Sequence, residues 1–190
     1  MKKFPIWKTI SLGTFKNTDE LLDELEKFRL REERNLVHTV RMNYRLIHHK
    51  DFAIAHEHTE IDLVKVTPVD LGFIDTYKYG KPRPVVFLSE MINRAREFGL
   101  VECPAEVGPQ LRLQYKDQRD NEWLEIVMKP LLVPNGACPM HMVFTVLSYC
   151  TNMLGDPTYQ RILDRWSAGP KGDIADQRTF GSVLVFALPR

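Results

Sequence analysis

The residues from 103 to 128 concentrate side chains with planar hydrogen-bonding ends. We expect Leu111 to Tyr115 to form a strand, in which successive side chains point to opposite faces. The rigid guanidinium of Arg112 suits carboxylates and phosphates, and neighbouring glutamines supply both donors and acceptors. The sequence therefore predicts a polar strand face that binds an anionic small molecule or a protein carboxylate. Its residues are Glu106, Gln110, Arg112, Gln114 and Tyr115.

A structural role fits the same residues. In that alternative Arg112 pairs with Glu106, and the glutamines tie down the tight segment CPAEVGP at 103–109. Ion pairs of this kind are common in folded proteins without any ligand. The two interpretations differ in one observable, because a ligand site needs the guanidinium to face open space.

A second set of residues has the chemistry of a metal site. In an extended segment His56, His58, Glu60 and Asp62 fall on one face, at steps of two residues. Imidazole and carboxylate groups are ligands for zinc, iron or manganese, and a bound metal generates hydroxide for hydrolysis. A metal-dependent hydrolase or nuclease is therefore an alternative function. The spacing matches no established metal motif, and an exposed strand with solvated histidines explains it equally well.

Basic residues recur at helical spacing between residues 31 and 49. We expect most of Arg31 to His49 to be helical, although its β-branched residues also suit a strand. Arg34, His38, Arg41 and Arg45 then form one stripe, which could follow the phosphates of a nucleic acid. The solvated face of an amphipathic helix explains the stripe as well, so nucleic-acid binding is possible but not favoured.

Other motifs of enzyme chemistry are missing from the sequence. There is no glycine-rich nucleotide motif and no GxSxG. No cofactor is predicted, and whether the protein is an enzyme is left open. The odd number of cysteines, without a CxxC pair, favours reduced structural thiols. We expect Trp7, Trp123 and Trp166 to be core residues rather than ligand platforms.

Length and composition favour one domain over residues 1–190. The chain has 190 residues, is 44% hydrophobic and has a formal charge of +1, which together exclude a disordered polyelectrolyte. No apolar run approaches the ~20 residues of a membrane helix. Pro5, Trp7 and Lys8 interrupt the apolar stretch at the start, so we expect no signal peptide, no membrane partner and a cytoplasmic protein.

Local patterns predict an α+β fold, with a helix-rich first half and a strand-rich second half. We expect helices on one face of a mostly antiparallel sheet, with helices at Asp19 to Leu30, capped by Asn17, and at Thr158 to Trp166. Ser89 should cap a third helix that ends at Phe98, before Gly99. The remaining strands are expected at Ile6 to Leu12, Glu60 to Thr67, Trp123 to Val133, Met142 to Tyr149 and Ser182 to Leu188. Residues 167–178 are expected to form a mobile loop.

The run GLVECPAEVGPQLRLQYKDQ, followed by EWLEIVMKPL, resembles a block in a family of small uncharacterised bacterial proteins. That block reads CPAEVGPxLRLxYxDQ and then EWLxIxMxP. The opening strand KTISLGT, the segment PVDLGF and the terminal VLVFALPR are similar too. The resemblance implies a bacterial protein with one compact domain and no particular activity. It also implies that seven residues belong to the shared core of the fold or to its site: Cys103, Glu106, Gln110, Arg112, Tyr115, Gln118 and Trp123.

These observations favour a binding or regulatory protein that engages an anion through the polar strand face. They leave the ligand, the oligomeric state and the pathway open.

Overall fold

A computed structural model describes residues 4–34, 38–42, 44–79, 84–119, 121–133, 140–153, 156–167 and 176–189. The fold is α+β, as expected. Its helices are α1 (Thr18–Arg34), α2 (Leu88–Glu97) and α3 (Val107–Gln114), with a 3-10 turn at Tyr44–Leu46. Its strands are β1 (Lys8–Leu12), β2 (His38–Met42), β3 (Thr59–Val66), β4 (Val85–Phe87), β5 (Glu122–Ile126), β6 (Leu131–Val133), β7 (Met140–Met153), β8 (Asp156–Ser167), β9 (Gln177–Thr179) and β10 (Val183–Ala187).

The elements with clear local signals lie where the sequence places them. The Asn17 side chain accepts a hydrogen bond from the Glu20 amide at 2.9 Å, and the Glu20 carboxylate accepts one from the Lys16 amide at 3.0 Å. The first bond satisfies a backbone donor that the first turn of α1 cannot use itself, and the second fixes the residue that precedes the Asn17 cap. Gly99 follows α2 at a φ of 82°, a conformation that favours glycine at a helix end.

Most described strands join one mixed sheet in the order β1-β3-β10-β5-β7-β8-β2, with β6 also paired to β7. The pairs β5–β10 and β2–β8 are parallel, and the others are antiparallel. Strands β4 and β9 form a separate two-stranded ribbon. The expectation of a mostly antiparallel sheet therefore misses two parallel pairs.

The division into a helical half and a strand half is wrong. Four strands, β1 to β4, precede residue 95. Within the predicted helix from Arg31 to His49, the described residues instead form the end of α1, strand β2 and the 3-10 turn. The β-branched residues at 39–40 lie in a strand that pairs with β8, so a long-range partner overrides the helical spacing.

Four other local predictions also differ from the structure. Leu111 to Tyr115 belongs mainly to α3, not to a strand, and Pro109 lies in the first turn of that helix, where a missing amide proton does no harm. The predicted helix at Thr158 to Trp166 is strand β8, which is paired with β7 on one side and β2 on the other. The stretch Trp123 to Val133 is divided between β5 and β6. Ser89 is the second residue of α2 rather than its cap.

The strand register shows what lies on each face of the sheet. A Cβ added at Gly108 of α3 would lie 2.5 Å from the Phe144 ring, so α3 rests directly on β7. Residue Thr145 is opposite Glu125 of β5, so Glu125 points away from α3. Glu125 pairs with Arg178 of β9. The β4–β9 ribbon, which continues directly into α2, therefore lies across the sheet from α3, and the helices do not share one face.

Candidate functional site

Helix α3 and its N-cap align three side chains of the predicted polar site. Glu106, Gln110 and Gln114 are spaced by four residues, so they lie along one side of the helix. Gln114 donates to the Gln110 oxygen and Gln110 donates to the Glu106 carboxylate, both at 2.9 Å. We call these three residues the α3 polar stripe. Glu106 and Gln110 are each 1% exposed, so two of the three are sealed inside the protein.

The α3 polar stripe ties several backbone segments together. The Glu106 carboxylate accepts hydrogen bonds from the amides of Gly13 at 2.9 Å and Ala55 at 2.8 Å. The Gln114 amide accepts from the Ser11 amide at 2.9 Å and donates to the Ser11 carbonyl at 2.8 Å. Because β1 is an edge strand, this side chain occupies backbone groups that another strand would otherwise use.

Arg112 is fully buried, and its guanidinium bonds to its own chain. It donates to the Gln118 oxygen at 2.6 Å and to the Tyr115 carbonyl at 2.9 Å. The ring of Phe28 lies 5.6 Å from its guanidinium carbon. Gln118 in turn donates to the Val146 carbonyl at 3.1 Å. The exposed guanidinium that the ligand-site prediction required is therefore absent.

Tyr115 closes the same region at the end of α3. Its ring meets Trp7 edge-on at 5.1 Å between centroids and lies 4.6 Å from the Lys8 ammonium. Burial, followed by a hydrogen bond to Glu122, raises the pKa of the Tyr115 phenol. The five predicted residues therefore form two bonded groups at α3: the α3 polar stripe, and Arg112 with the Tyr115 carbonyl. Gln110 bonds Glu106 in the tight segment 103–109, as the structural alternative expects. Glu106 otherwise accepts from the Gly13 and Ala55 amides and does not pair with Arg112.

The structure does not assemble the predicted metal ligands. His56 and His58 precede β3 and are exposed, whereas Glu60 and Asp62 lie within it. Asp62 accepts a hydrogen bond from the Thr9 hydroxyl at 2.6 Å. Among the described residues, no three His, Cys, Asp or Glu side chains form a group that could hold a metal ion.

The basic stripe is likewise divided among different elements. Arg34 ends α1, His38 and Arg41 are in β2, and Arg45 is in the 3-10 turn. The side chains of the first three lie outside the described part of the chain, and Arg45 is exposed. The helical face that aligned these residues does not exist.

A cavity of about 320 Å³ lies across the sheet from α3, between β5 and the turn joining β9 to β10. Trp123 lines it and is 47% exposed, so the expectation of a core tryptophan is wrong at this position. We call this space the tryptophan cavity. Its lining residues are Trp123, Glu125, Gln177, Arg178, Thr179, Gly181, Ser182 and Val183.

A buried ion pair lies at the wall of the tryptophan cavity. The Arg178 guanidinium donates to both Glu125 oxygens, at 2.6 and 2.5 Å, and to the Gln177 carbonyl at 2.9 Å. Both side chains are nearly inaccessible, at 4% and 6% exposure. Burial raises the pKa of the Glu125 carboxyl, and Arg178 opposes that rise. The pair therefore adds polar atoms to the cavity wall but little net charge.

Strand β9 is also anchored at its start. Asp176 accepts hydrogen bonds from the Ser89 amide at 3.0 Å and from the Ser89 hydroxyl at 2.7 Å, in the first turn of α2. Residues 168–175 of the predicted mobile loop lie outside the described residues, but 177–179 form β9. Glu125 and Arg178 are 53 residues apart, so no local pattern in the sequence links them.

The remaining sequence predictions have simple outcomes. Cys103 is buried and unpaired, and burial raises the pKa of its thiol; Cys138 and the side chain of Cys150 lie outside the described residues. Within the described ranges, no helix has the length and apolar character to cross a membrane.

Comparison of the chain with protein-family models, curated proteins and solved structures gives no match.

Proposed function

We propose that this protein binds a small molecule in the tryptophan cavity. The observation that carries the proposal is the half-exposed Trp123 beside a space of about 320 Å³. Ligand cavities combine an apolar or aromatic wall with a few fixed polar groups, and this volume lies near the lower end of their usual range. The occupant is therefore small.

The lining indicates a neutral ligand with a flat apolar part and a polar edge. Trp123 and Val183 supply apolar surface, while Thr179 and Ser182 supply hydroxyl groups. The charge of Arg178 is balanced by Glu125, so an anion gains little there. The anionic ligand expected from the sequence depended on Arg112, which is sealed within the protein.

Three probes of one shape test the proposal: benzamide is neutral, benzoate is anionic and benzamidinium is cationic. We expect benzamide at millimolar concentration to shift the Trp123 indole signal and the Ser182 and Val183 amides in nitrogen–proton NMR spectra. Benzoate and benzamidinium should each bind at least threefold more weakly, because the Arg178–Glu125 pair offers neither ion a net opposite charge. Replacement of Trp123 by leucine assigns the indole signal and should remove the response.

A matched control separates the cavity from general apolar binding. Leu132→Ala truncates another strand residue of similar exposure, 49%, outside the cavity lining. Benzamide binding should be unchanged in that variant. Equal losses in Trp123→Leu and Leu132→Ala, or the absence of any benzamide response at Trp123, would overturn the proposed site.

A further inference from the structure

A second cavity, of about 270 Å³, also borders the turn that joins β9 to β10. Thr179 and Gly181 line both cavities. The other residues that line this second space differ in chemistry from those of the tryptophan cavity. They are Asp75, Tyr77, Pro84 and Phe180. We call this space the aromatic–carboxylate cavity.

Two aromatic residues and one carboxylate define its surface. Tyr77 is 45% exposed and Phe180 is partly buried against the core. The Asp75 carboxylate accepts a hydrogen bond from the Tyr77 amide at 2.9 Å. That bond holds the acidic group close to the backbone of the residue that supplies one ring.

This combination has the chemistry that attracts an organic cation. The face of an aromatic ring carries negative potential and attracts ammonium groups, and a carboxylate supplies the opposite charge. An inorganic divalent cation would need several oxygen ligands, whereas among the described residues of this lining Asp75 is the one carboxylate.

We propose that the aromatic–carboxylate cavity binds a quaternary ammonium group, with Tyr77 and Phe180 contacting its methyl groups and Asp75 balancing its charge. A primary ammonium directs its three donors at oxygen acceptors, whereas aromatic rings such as those of Tyr77 and Phe180 suit methyl groups that carry a delocalised positive charge. A quaternary ammonium has no such donors. This inference concerns a separate space and does not depend on the proposed function.

Lys78 follows Tyr77 in the chain and is exposed. Its positive charge opposes a cationic ligand, although solvent and salt screen an exposed charge strongly. Replacement of Lys78 by alanine should therefore leave binding unchanged or strengthen it. The opposite outcome would indicate that the site prefers an anion, and it would overturn the proposal.

Choline and 3,3-dimethyl-1-butanol test the inference, because they share a shape and differ in charge. We expect calorimetry of the full chain to show choline binding at least tenfold more tightly than the uncharged alcohol. N-acetyl-trimethyllysine amide provides a second arm. Preference for choline would indicate a free small molecule, and preference for the lysine derivative would indicate a modified protein side chain.

Variants locate the site. Asp75→Asn and Tyr77→Leu should each weaken choline binding at least fivefold, and both positions are exposed enough for the fold to be retained, which circular dichroism verifies. Tyr79→Leu is the matched control, since Tyr79 is 98% exposed and does not line the cavity. Equal affinity for choline and the alcohol, no binding of either, or an equal loss in Tyr79→Leu would each overturn the inference.

Discussion

Two buried arginines, on opposite sides of one sheet, have the same guanidinium group in different surroundings. Arg112 belongs to α3, and the acceptors described above for its guanidinium are the uncharged oxygens of Gln118 and Tyr115. Arg178 belongs to the β4–β9 ribbon and forms a two-point ion pair with Glu125. Arg112 lies within packed protein, whereas Arg178 borders open space.

A guanidinium among planar polar groups does not by itself identify a binding site. Arg112 has more such neighbours in sequence than Arg178, yet its surroundings are filled by Phe28 and by the chain itself. The adjacent space, which depends on distant elements, distinguishes the two. Substitutions at these positions should therefore differ in their effects.

The largest effect is expected from Arg178→Met. Removal of one partner leaves the buried Glu125 carboxylate uncompensated, and such changes reduce the free energy of unfolding by about 3–5 kcal/mol near neutral pH. The double variant Arg178→Met/Glu125→Leu should recover most of that loss, because no charge is then buried. Denaturant unfolding at pH 7 measures both. A double variant as unstable as the single one would contradict this account.

The same variant should make stability depend on pH. Burial raises the pKa of Glu125 above the ordinary value of 4.5, and Arg178 opposes the rise. A raised pKa stabilises the fold fully below the unfolded value, and that contribution is lost as pH increases through the folded value. Stability of Arg178→Met should therefore fall more steeply than that of the wild type from about pH 4.5 upward. Adding Glu125→Gln to Arg178→Met should remove this extra dependence of stability on pH.

A smaller effect is expected from Arg112→Met. The change leaves the buried oxygens of Gln118 and Tyr115 without these donors, which costs about 2 kcal/mol in total, while the methionine retains part of the packing. Neither oxygen titrates between pH 4 and 8, so the part of the loss that comes from these two hydrogen bonds should be constant over that range. Unfolding curves at both pH values test this contrast with Arg178. A loss that varies strongly with pH would contradict a loss dominated by these two hydrogen bonds.

The smallest effect on stability is expected from Trp123→Leu. Because about half of this side chain is already exposed, its replacement should change the free energy of unfolding by less than about 1 kcal/mol. Benzamide binding should nevertheless be lost. Thermal unfolding with and without benzamide separates the two effects. A loss of several kcal/mol in the free energy of unfolding would show that Trp123, like Arg112, mainly stabilises the fold.

Several elements were predictable because the decisive interactions are local. Asn17 and Glu20 mark the start of α1, alternating residues mark β3, and Gly99 marks the end of α2. The same tract that suggested a strand at Leu111 to Tyr115 contains side chains at both two-residue and four-residue spacing. In so short a segment both patterns fit, and contact with Phe144 and β1 selected the helix.

By itself, the sequence determined the α+β class, the caps and ends of its clearest elements, and the presence of planar polar side chains around residue 106. The tertiary structure alone decided that Glu106 bonds the Gly13 and Ala55 amides, that Arg112 is sealed, and that Arg178 meets Glu125 beside a cavity. Caps and alternation depend on residues a few positions apart. Burial and open space depend on which distant strands pair, and no short pattern in the chain encodes that pairing.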